Sequence, residues 1–469
     1  MKVLNFNQDA TCCVVYTAPH IVSIYNCDPF GKCFELDSRL KSTNTNKHAD
    51  NANNSMDGSN TSGNLRDEEV ENEIIEESLT NLSNNNNNLT SMDDSVVVEM
   101  LFSTSLVAIA DRSQSSIKSK RLKIVNTKRK STICEISFSH AIVDVVMNRK
   151  RMCILLESDQ IFVYDISCMK PLETIDLWED HIKNNTAAAG IVSNIRETSD
   201  PKSHTQRKRR NSLRSRLRPR MVLSNDDRSI LCYTSYSSTK NQSDSFVLND
   251  IVVYDALNVT PLNYLNSVHK GNIACLAINY DGKLIATGSD KGTIIRIYST
   301  GVDCEFNASK ALKYEFRRGS RTCNLYQLSF DRKSSMLGCV GDTDTIHIFK
   351  LDPESSDEFP GLNSQEEQLL DQNDEIQKHT NGDDKKFVRD PSKQLSHFFS
   401  KRIKASIPNQ NLRRDYAHIS MNESLRYCLG FPGEFPNQVY VASDDGTFKV
   451  YSLPSTPGEC ILMKTSKFD

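Results

Sequence analysis

A chain of 469 residues is too long for one ordinary domain of about 100 to 200 residues, so it holds two or three domains or one repeat architecture with insertions. Hydrophobic residues at 38%, charged residues at 25% and a mean hydropathy of -0.50 describe a soluble chain with long polar stretches and exclude a helical membrane span. The net charge of -3 points to no strong preference for nucleic acid or membrane, although it averages segments of opposite sign.

From the start of the chain, Lys2 leads into Asn5, Asn7, Gln8 and Asp9 instead of an apolar run. The expectation is a chain without a signal peptide that stays in the cytosol or nucleus. The 14 cysteines fit a reducing compartment: no pair has C-x-x-C spacing and none pairs with His at zinc-finger spacing, so no metal site is expected. Cys12, Cys13, Cys134, Cys153, Cys232, Cys275, Cys339 and Cys428 lie in or beside apolar strand-like runs and read as small core hydrophobes.

Three stretches read as disordered or looped insertions. Residues 38–95 combine the Asn84 to Asn88 run with an acidic cluster around Glu68 to Glu77, too polar to offset chain entropy. Residues 182–218 end in a basic run that includes Arg207, Arg209, Arg210 and Arg214. Residues 352–413 open acidic and turn basic near Lys385.

Between the insertions, short runs of Val, Ile, Thr, Tyr and Phe alternate with polar residues and stop at Asp, Asn, Gly and Ser, the pattern of strands. One strand recurs seven times: Ile21 to Asn26, Leu122 to Asn126, Ile161 to Asp165, Ile251 to Asp255, Ile294 to Tyr298, Ile346 to Phe349 and Phe448 to Tyr451. The intervals Val125 to Tyr164, Tyr254 to Tyr298 and Tyr298 to Phe349 run to about 40 to 50 residues, and the longer intervals reduce to about that period once the insertions are subtracted. That is the period of a four-stranded propeller blade. The chain from 1 to 469 is therefore read as a single all-β, seven-bladed β-propeller of WD40-like repeats; a pair of β-sandwich domains would not need such a period.

No nucleophile elbow, P-loop or H-E-x-x-H motif is present, and the chain is not expected to be an enzyme or to carry a cofactor. The feature that stands out is Phe316-Arg317-Arg318-Gly319 between two regular repeats. Neighbouring strand residues point to opposite sides, so Arg317 and Arg318 can serve separate pockets on the two flanks of one blade. Each guanidinium offers a planar fork of donors matched to phosphate oxygens. His269, Ser289, Thr293 and Arg296 fill out the upstream pocket; Arg321, Thr322, Thr345 and His347 fill out the downstream one, where Asp344 departs from an all-donor lining. The plainer reading makes the hydroxyl residues turn formers and His269 and His347 packing residues.

The tetrapeptide Phe316 to Gly319 within a seven-bladed repeat resembles the signature of the PROPPINs, β-propellers that bind polyphosphoinositides and act in autophagy and in endosomal or vacuolar traffic. The stretches Asn5 to Cys13, Cys27 to Phe34, Ile154 to Asp180, Val222 to Ile230 and Gly341 to Leu351 resemble one fungal autophagy-related branch of that family. The resemblance implies two sites, for phosphatidylinositol 3-phosphate and phosphatidylinositol 3,5-bisphosphate, with Arg317 in one and Arg318 in the other. It implies a recruiter on vacuolar, endosomal and preautophagosomal membranes. Its partners would be the autophagy conjugation machinery, including a coiled-coil organiser and a ubiquitin-like modifier, with no nucleic acid.

Three further features bear on partners. Leu395, Phe398, Phe399 and Ile403 sit at helical spacing among Lys393, Lys401, Arg402 and Lys404, the pattern of a short interfacial amphipathic helix, which the resemblance makes the membrane-dipping loop. The basic run to Arg220 reads as a solvated charge run, an import signal or an anionic-surface patch, with Ser212 as a kinase site. Arg149, Lys150 and Arg151, with Asp144, read as a protein-binding turn on an early blade. The competing function is a WD-repeat adaptor that gathers proteins without touching lipid.

Overall fold

The computed structural model describes residues 1–17, 21–37, 96–111, 118–177, 218–238, 246–303, 306–351, 412–422 and 425–469. Seven antiparallel sheets make the seven blades of a propeller. Blade 1 comprises Lys2–Phe6, Cys12–Thr17, Ile21–Cys27 and Phe30–Asp37; blade 2 Val96–Met100, Leu106–Asp111, Arg121–Asn126 and Ser131–Ser137. Blade 3 comprises Ile142–Met147, Arg151–Leu156, Gln160–Asp165 and Lys170–Asp176; blade 4 Met221–Leu223, Ile230–Ser238, Phe246–Asp255 and Thr260–Leu265. Blade 5 comprises Ile273–Ile278, Leu284–Ser289, Ile294–Ser299 and Leu312–Arg317; blade 7 Tyr427–Gly430, Gln438–Ser443, Thr447–Ser452 and Ile461–Lys467. Blade 6 holds Leu325–Phe330, Met336–Gly341, Thr345–Lys350 and Ala417–Ser420, with Gly458–Glu459 added in parallel at its edge.

All seven recurring strands of the sequence occupy the third position of their blades. In that position alternate residues are buried and their neighbours only partly so, as in Gln160–Asp165 and Ile294–Ser299, which is why it alternates so regularly, and Tyr25, Val125, Tyr164, Tyr254, Phe349 and Tyr451 are all buried. The second strands are covered on both faces and read as continuous apolar runs, as in Arg151–Leu156, where every residue is buried. The fourth strands form the rim, and Lys170–Asp176 exposes its first five residues.

The core is divided into seven clusters, one in each gap between adjacent blades. Val14, Ile24, Val98 and Ile109 fill the gap between blades 1 and 2, and Ile295, Phe316, Leu337 and Phe349 fill that between blades 5 and 6. First strands converge on an axial cavity of about 290 Å³ lined by residues such as Gln8, Glu99, Met147, Leu223, Leu276, Leu328 and Leu429. Gln8 ties the seam near the axis, donating to the Glu99 carboxylate at 2.8 Å and to the Met100 carbonyl.

The ring closes without strand exchange between its ends. Blades 1 and 7 are each complete, and their gap is sealed by Tyr25, Phe30, Phe448 and Phe468, whose rings pack at centroid distances that include 4.9 Å for Tyr25–Phe468 and 5.0 Å for Phe30–Phe448. Val3 N donates to Asp444 Oδ1 at 2.7 Å and Tyr25 Oη to the Asp469 carbonyl at 2.8 Å.

Of the three insertions, 38–95 lies wholly outside the described residues, and 182–218 and 352–413 do so except for Arg218 and residues 412–413. Among the described residues no helix is long and apolar enough to cross a membrane, and no group of three or more His, Cys, Asp or Glu could hold a metal. The described cysteines are free; of the eight placed in strand-like runs, seven are buried and Cys134 is half-buried. Burial pushes the Cys153 and Cys428 thiols up to about 12.

Candidate functional site

The outermost strand of blade 5, Leu312–Arg317, alternates strictly. Tyr314 and Phe316 are buried toward blade 6, where the Phe316 ring packs against Phe349 at 4.8 Å, and Lys313, Glu315 and Arg317 take the other face. Arg318 continues the Phe316 side. The two arginines therefore open onto different gaps, Arg317 onto that between blades 4 and 5 and Arg318 onto that between blades 5 and 6.

Their surroundings differ. Arg318 is only 6% exposed, and its Nε donates to the Gly292 carbonyl at 2.6 Å while Nη2 donates to the carbonyl of Arg321. Gly292 can present that carbonyl because it adopts φ 61°, and an added Cβ would meet the Cys323 carbonyl oxygen at 2.1 Å. Nη1 reaches Thr343 Oγ1 at 3.5 Å, so the guanidinium is fixed by neutral acceptors with no carboxylate ion pair. Arg317 is half-buried; its backbone N donates to the Arg413 carbonyl at 2.9 Å, and its guanidinium has no ion-pair partner among the described residues.

On the blade 4 side, the register sets Thr287, Arg296 and Glu315 in one row across three strands. Arg296 Nε donates to Glu315 Oε1 at 2.7 Å and its Nη1 to the Val268 carbonyl at 2.7 Å. His269 shares its Nε2 with Thr287 Oγ1 at 2.9 Å, and burial, aided by the Arg296 charge, pushes its pKa down to about 4. A pocket of donors free of carboxylates was the expectation here, and the structure corrects it: Arg296 is already paired, and His269 is a neutral, hydrogen-bonded packing residue at neutral pH. Ser289 is buried at the end of its strand, and the Thr293 carbonyl accepts from Arg318 N at 2.9 Å.

On the blade 6 side, Thr345 and His347 project from the same face as Phe349, toward blade 5. Thr345 Oγ1 donates to Asp344 Oδ1 at 3.1 Å, and His347 Nδ1 lies 3.0 Å from Asp415 Oδ2. Burial pushes the Asp415 carboxyl up, but the His347 bond and the adjacent imidazoles outweigh it and hold the pKa below the usual carboxylate range. Arg321 and Thr322 are exposed on the connection between the blades. A Cβ at Gly319 would meet nothing within 4 Å, so the space beside the pair is open.

Sequence reasoning missed three residues here. Glu315 was detectable, because strand alternation from Arg317 puts it on the same face. Asp415 and Arg413 were not, since the long insertion separates them from the residues they join.

The basic turn on blade 3 divides in two. Arg149 and Lys150 are exposed, with the Arg149 guanidinium 4.2 Å from the Phe102 ring centroid. Arg151 is not a surface residue: it is 8% exposed, donates to the Ala256 and Leu257 carbonyls of blade 4 and pairs with Asp165 at 3.4 Å. It pins two blades together, which corrects its place in a docking surface. Asp144 is half-buried, its Oδ1 accepting from Val145 N. Leu395, Phe398, Phe399, Ile403 and Ser212 lie outside the described residues.

The PROPPIN family model matches residues 76–197 and 226–364. Autophagy-related protein 21 of Saccharomyces cerevisiae (strain YJM789) is 56% identical over 100% of both chains, and that of Eremothecium gossypii is 45% identical, again over 100% of both. A solved complex of KlAtg21 with the coiled-coil of AgAtg16 matches at 35% identity and a TM-score of 0.64, covering 100% of each chain. Kluyveromyces lactis Hsv2, at 15% identity and a TM-score of 0.55, shares the fold. Matched in sequence from end to end and in the seven-bladed architecture, the chain belongs to the PROPPIN family.

Proposed function

We propose that the protein is a non-enzymatic, peripheral membrane scaffold of autophagy and cytoplasm-to-vacuole transport. Its rim reads phosphatidylinositol 3-phosphate and phosphatidylinositol 3,5-bisphosphate at the two gaps flanking blade 5. The observation that carries this reading is the pair Arg317 and Arg318, adjacent in sequence, facing opposite gaps, and both without a carboxylate. Arg318 is held in place by carbonyls, so little ordering is left to be done when an anion arrives. Exposed Arg321 and Thr322 add donors on the downstream side, where the Thr345 hydroxyl is already given to Asp344. Family membership supports the lipid class. Leu395, Phe398, Phe399 and Ile403 would add apolar insertion, and several weak contacts acting together multiply membrane affinity.

Recruitment is the second half of the proposal. The similarity to KlAtg21, solved with the coiled-coil of AgAtg16, supports a coiled-coil organiser as partner, and exposed Arg149 and Lys150 beside Asp144 are the residues we assign to it. The ubiquitin-like modifier follows from the same machinery.

Flotation with liposomes carrying each 3-phosphorylated phosphoinositide tests the lipid half. The wild type is expected to float only with those lipids, and Arg317→Thr with Arg318→Thr to stay at the bottom while unfolding cooperatively. Equal flotation of both proteins would make the arginines structural and leave the lipid-independent adaptor as the better reading.

A further inference from the structure

The residues that follow the long blade 6 insertion form a strap across the candidate site. Arg413 bridges Phe316 in parallel and accepts from Arg317 N at 2.9 Å, and two residues on Asp415 bonds His347 at 3.0 Å. One short segment is thus fastened at one end to the arginine of the upstream gap and at the other to the histidine of the downstream gap. Between those anchors, Arg413 and Arg414 are both exposed.

Neither guanidinium has an ion-pair partner among the described residues. Asp415, the nearest acid in sequence, is engaged by His347 and lies 4.0 Å from His418. Arg121, Arg151, Arg228 and Arg296, by contrast, all have carboxylates within 4 Å. Exposed guanidiniums on a segment bonded through Arg413 to Arg317, which also lacks a carboxylate, concentrate positive charge that an anion would offset. Their exposure suits a flat, extended array of phosphates better than a single buried headgroup.

We infer that Arg413 and Arg414 form a third cationic contact, which binds the phosphates of ordinary anionic lipids lying between the two headgroup sites. This rests on the headgroup reading above, because that reading turns this rim toward the bilayer. The strap would make the protein respond to surface charge in addition to 3-phosphorylated lipid. Since Arg413 holds the signature strand through its backbone, its side chain can be changed without breaking that bond.

The test uses the full chain and vesicles of phosphatidylcholine with a fixed fraction of phosphatidylinositol 3-phosphate, with and without phosphatidylserine. Calorimetry with soluble inositol 1,3-bisphosphate runs alongside. Arg413→Gln with Arg414→Gln is expected to bind the phosphatidylserine vesicles about ten- to thirtyfold more weakly than wild type, since each basic residue near an anionic surface contributes about fivefold. The same variant should keep its affinity for the soluble headgroup, and Arg413→Lys with Arg414→Lys should recover most vesicle binding. Wild-type behaviour of the Gln variant on both vesicles would overturn the inference, as would a matching loss of soluble headgroup, or a Lys variant as weak as the Gln one. Arg317→Thr with Arg318→Thr separates the two claims: if it binds soluble headgroup as well as wild type, the headgroup reading fails first and by itself.

Discussion

The two flanks of blade 5 present neighbouring arginines to similar gaps and handle them in opposite ways. Toward blade 4, the polar groups are matched to one another: Arg296 to Glu315, and His269 to Thr287. The half-buried arginine there, Arg317, is left over. Toward blade 6, the arginine itself is the structural element, buried and bonded to two carbonyls, and the exposed donors surround it. An arginine's availability to a ligand is thus set by what its neighbours have already accepted, which a motif of four letters does not reveal.

The largest break in this comparison should come from Arg318→Ala, which leaves the carbonyls of Gly292 and Arg321 without their charged donor. Urea unfolding should show a loss of about 2 to 3 kcal/mol, whereas Arg317→Ala should stay within about 0.5 kcal/mol. Similar losses for the two would show that their difference in burial has no energetic weight. The double substitution in flotation therefore needs Arg317→Thr alone beside it, so that lost binding and lost fold are told apart.

Proton linkage sharpens the blade 4 side. His269 titrates near 4 when folded and near about 6.5 when unfolded, so between those values the unfolded chain binds more protons and stability falls as the pH falls. Lowering the pH through that window should cost roughly 3 kcal/mol, and His269→Gln should flatten the slope in denaturation curves taken at several pH values. Asp250, pushed up to about 6 by burial, acts in the opposite sense: folding raises its proton affinity, so it adds stability as the pH falls from 6 toward the ordinary carboxylate value. Asp250→Asn should make the acid slope steeper.

Smaller effects are expected from the carboxylates. Glu315→Gln should lower stability by about 1 kcal/mol, since the side chains of the Arg296 pair are 27% and 14% exposed and partly desolvated. Asp415→Asn should cost about 0.5 kcal/mol at neutral pH. That small difference should vanish as the pH falls through the depressed Asp415 pKa, where the wild type loses the same contribution.

The blade count and order were legible in the sequence because the third strand of each blade buries alternate residues more deeply than their neighbours, which leaves an apolar period that insertions only dilute. Tyr254 and Tyr298 carry that signal as plainly as the two markers that flank the 58-residue insertion, Tyr25 and Val125, once the insertion is removed. The arginine pair was legible for a similar reason, alternation along one strand. Pairing across strands was not. Glu315 faces Arg296 only because of a register that neither segment states, Asp415 lies 68 positions from the histidine it bonds, and Arg151 belongs to a basic triplet whose other two members do face solvent. Charge runs report composition, whereas burial within them depends on the neighbouring blade.

Both chain ends bond to a single turn of blade 7: Val3 N to the Asp444 carboxylate, and Phe468 N to the Gly446 carbonyl. Topologically, the ring is then a closed loop that happens to be cut at this point. A circular permutant with its ends rejoined by a short linker and reopened inside 38–95 should assemble the same seven blades. The gap between blades 7 and 1 is held by that Val3–Asp444 bond and by the packed rings of Tyr25, Phe30, Phe448 and Phe468, so loosening either should let the ring breathe there first.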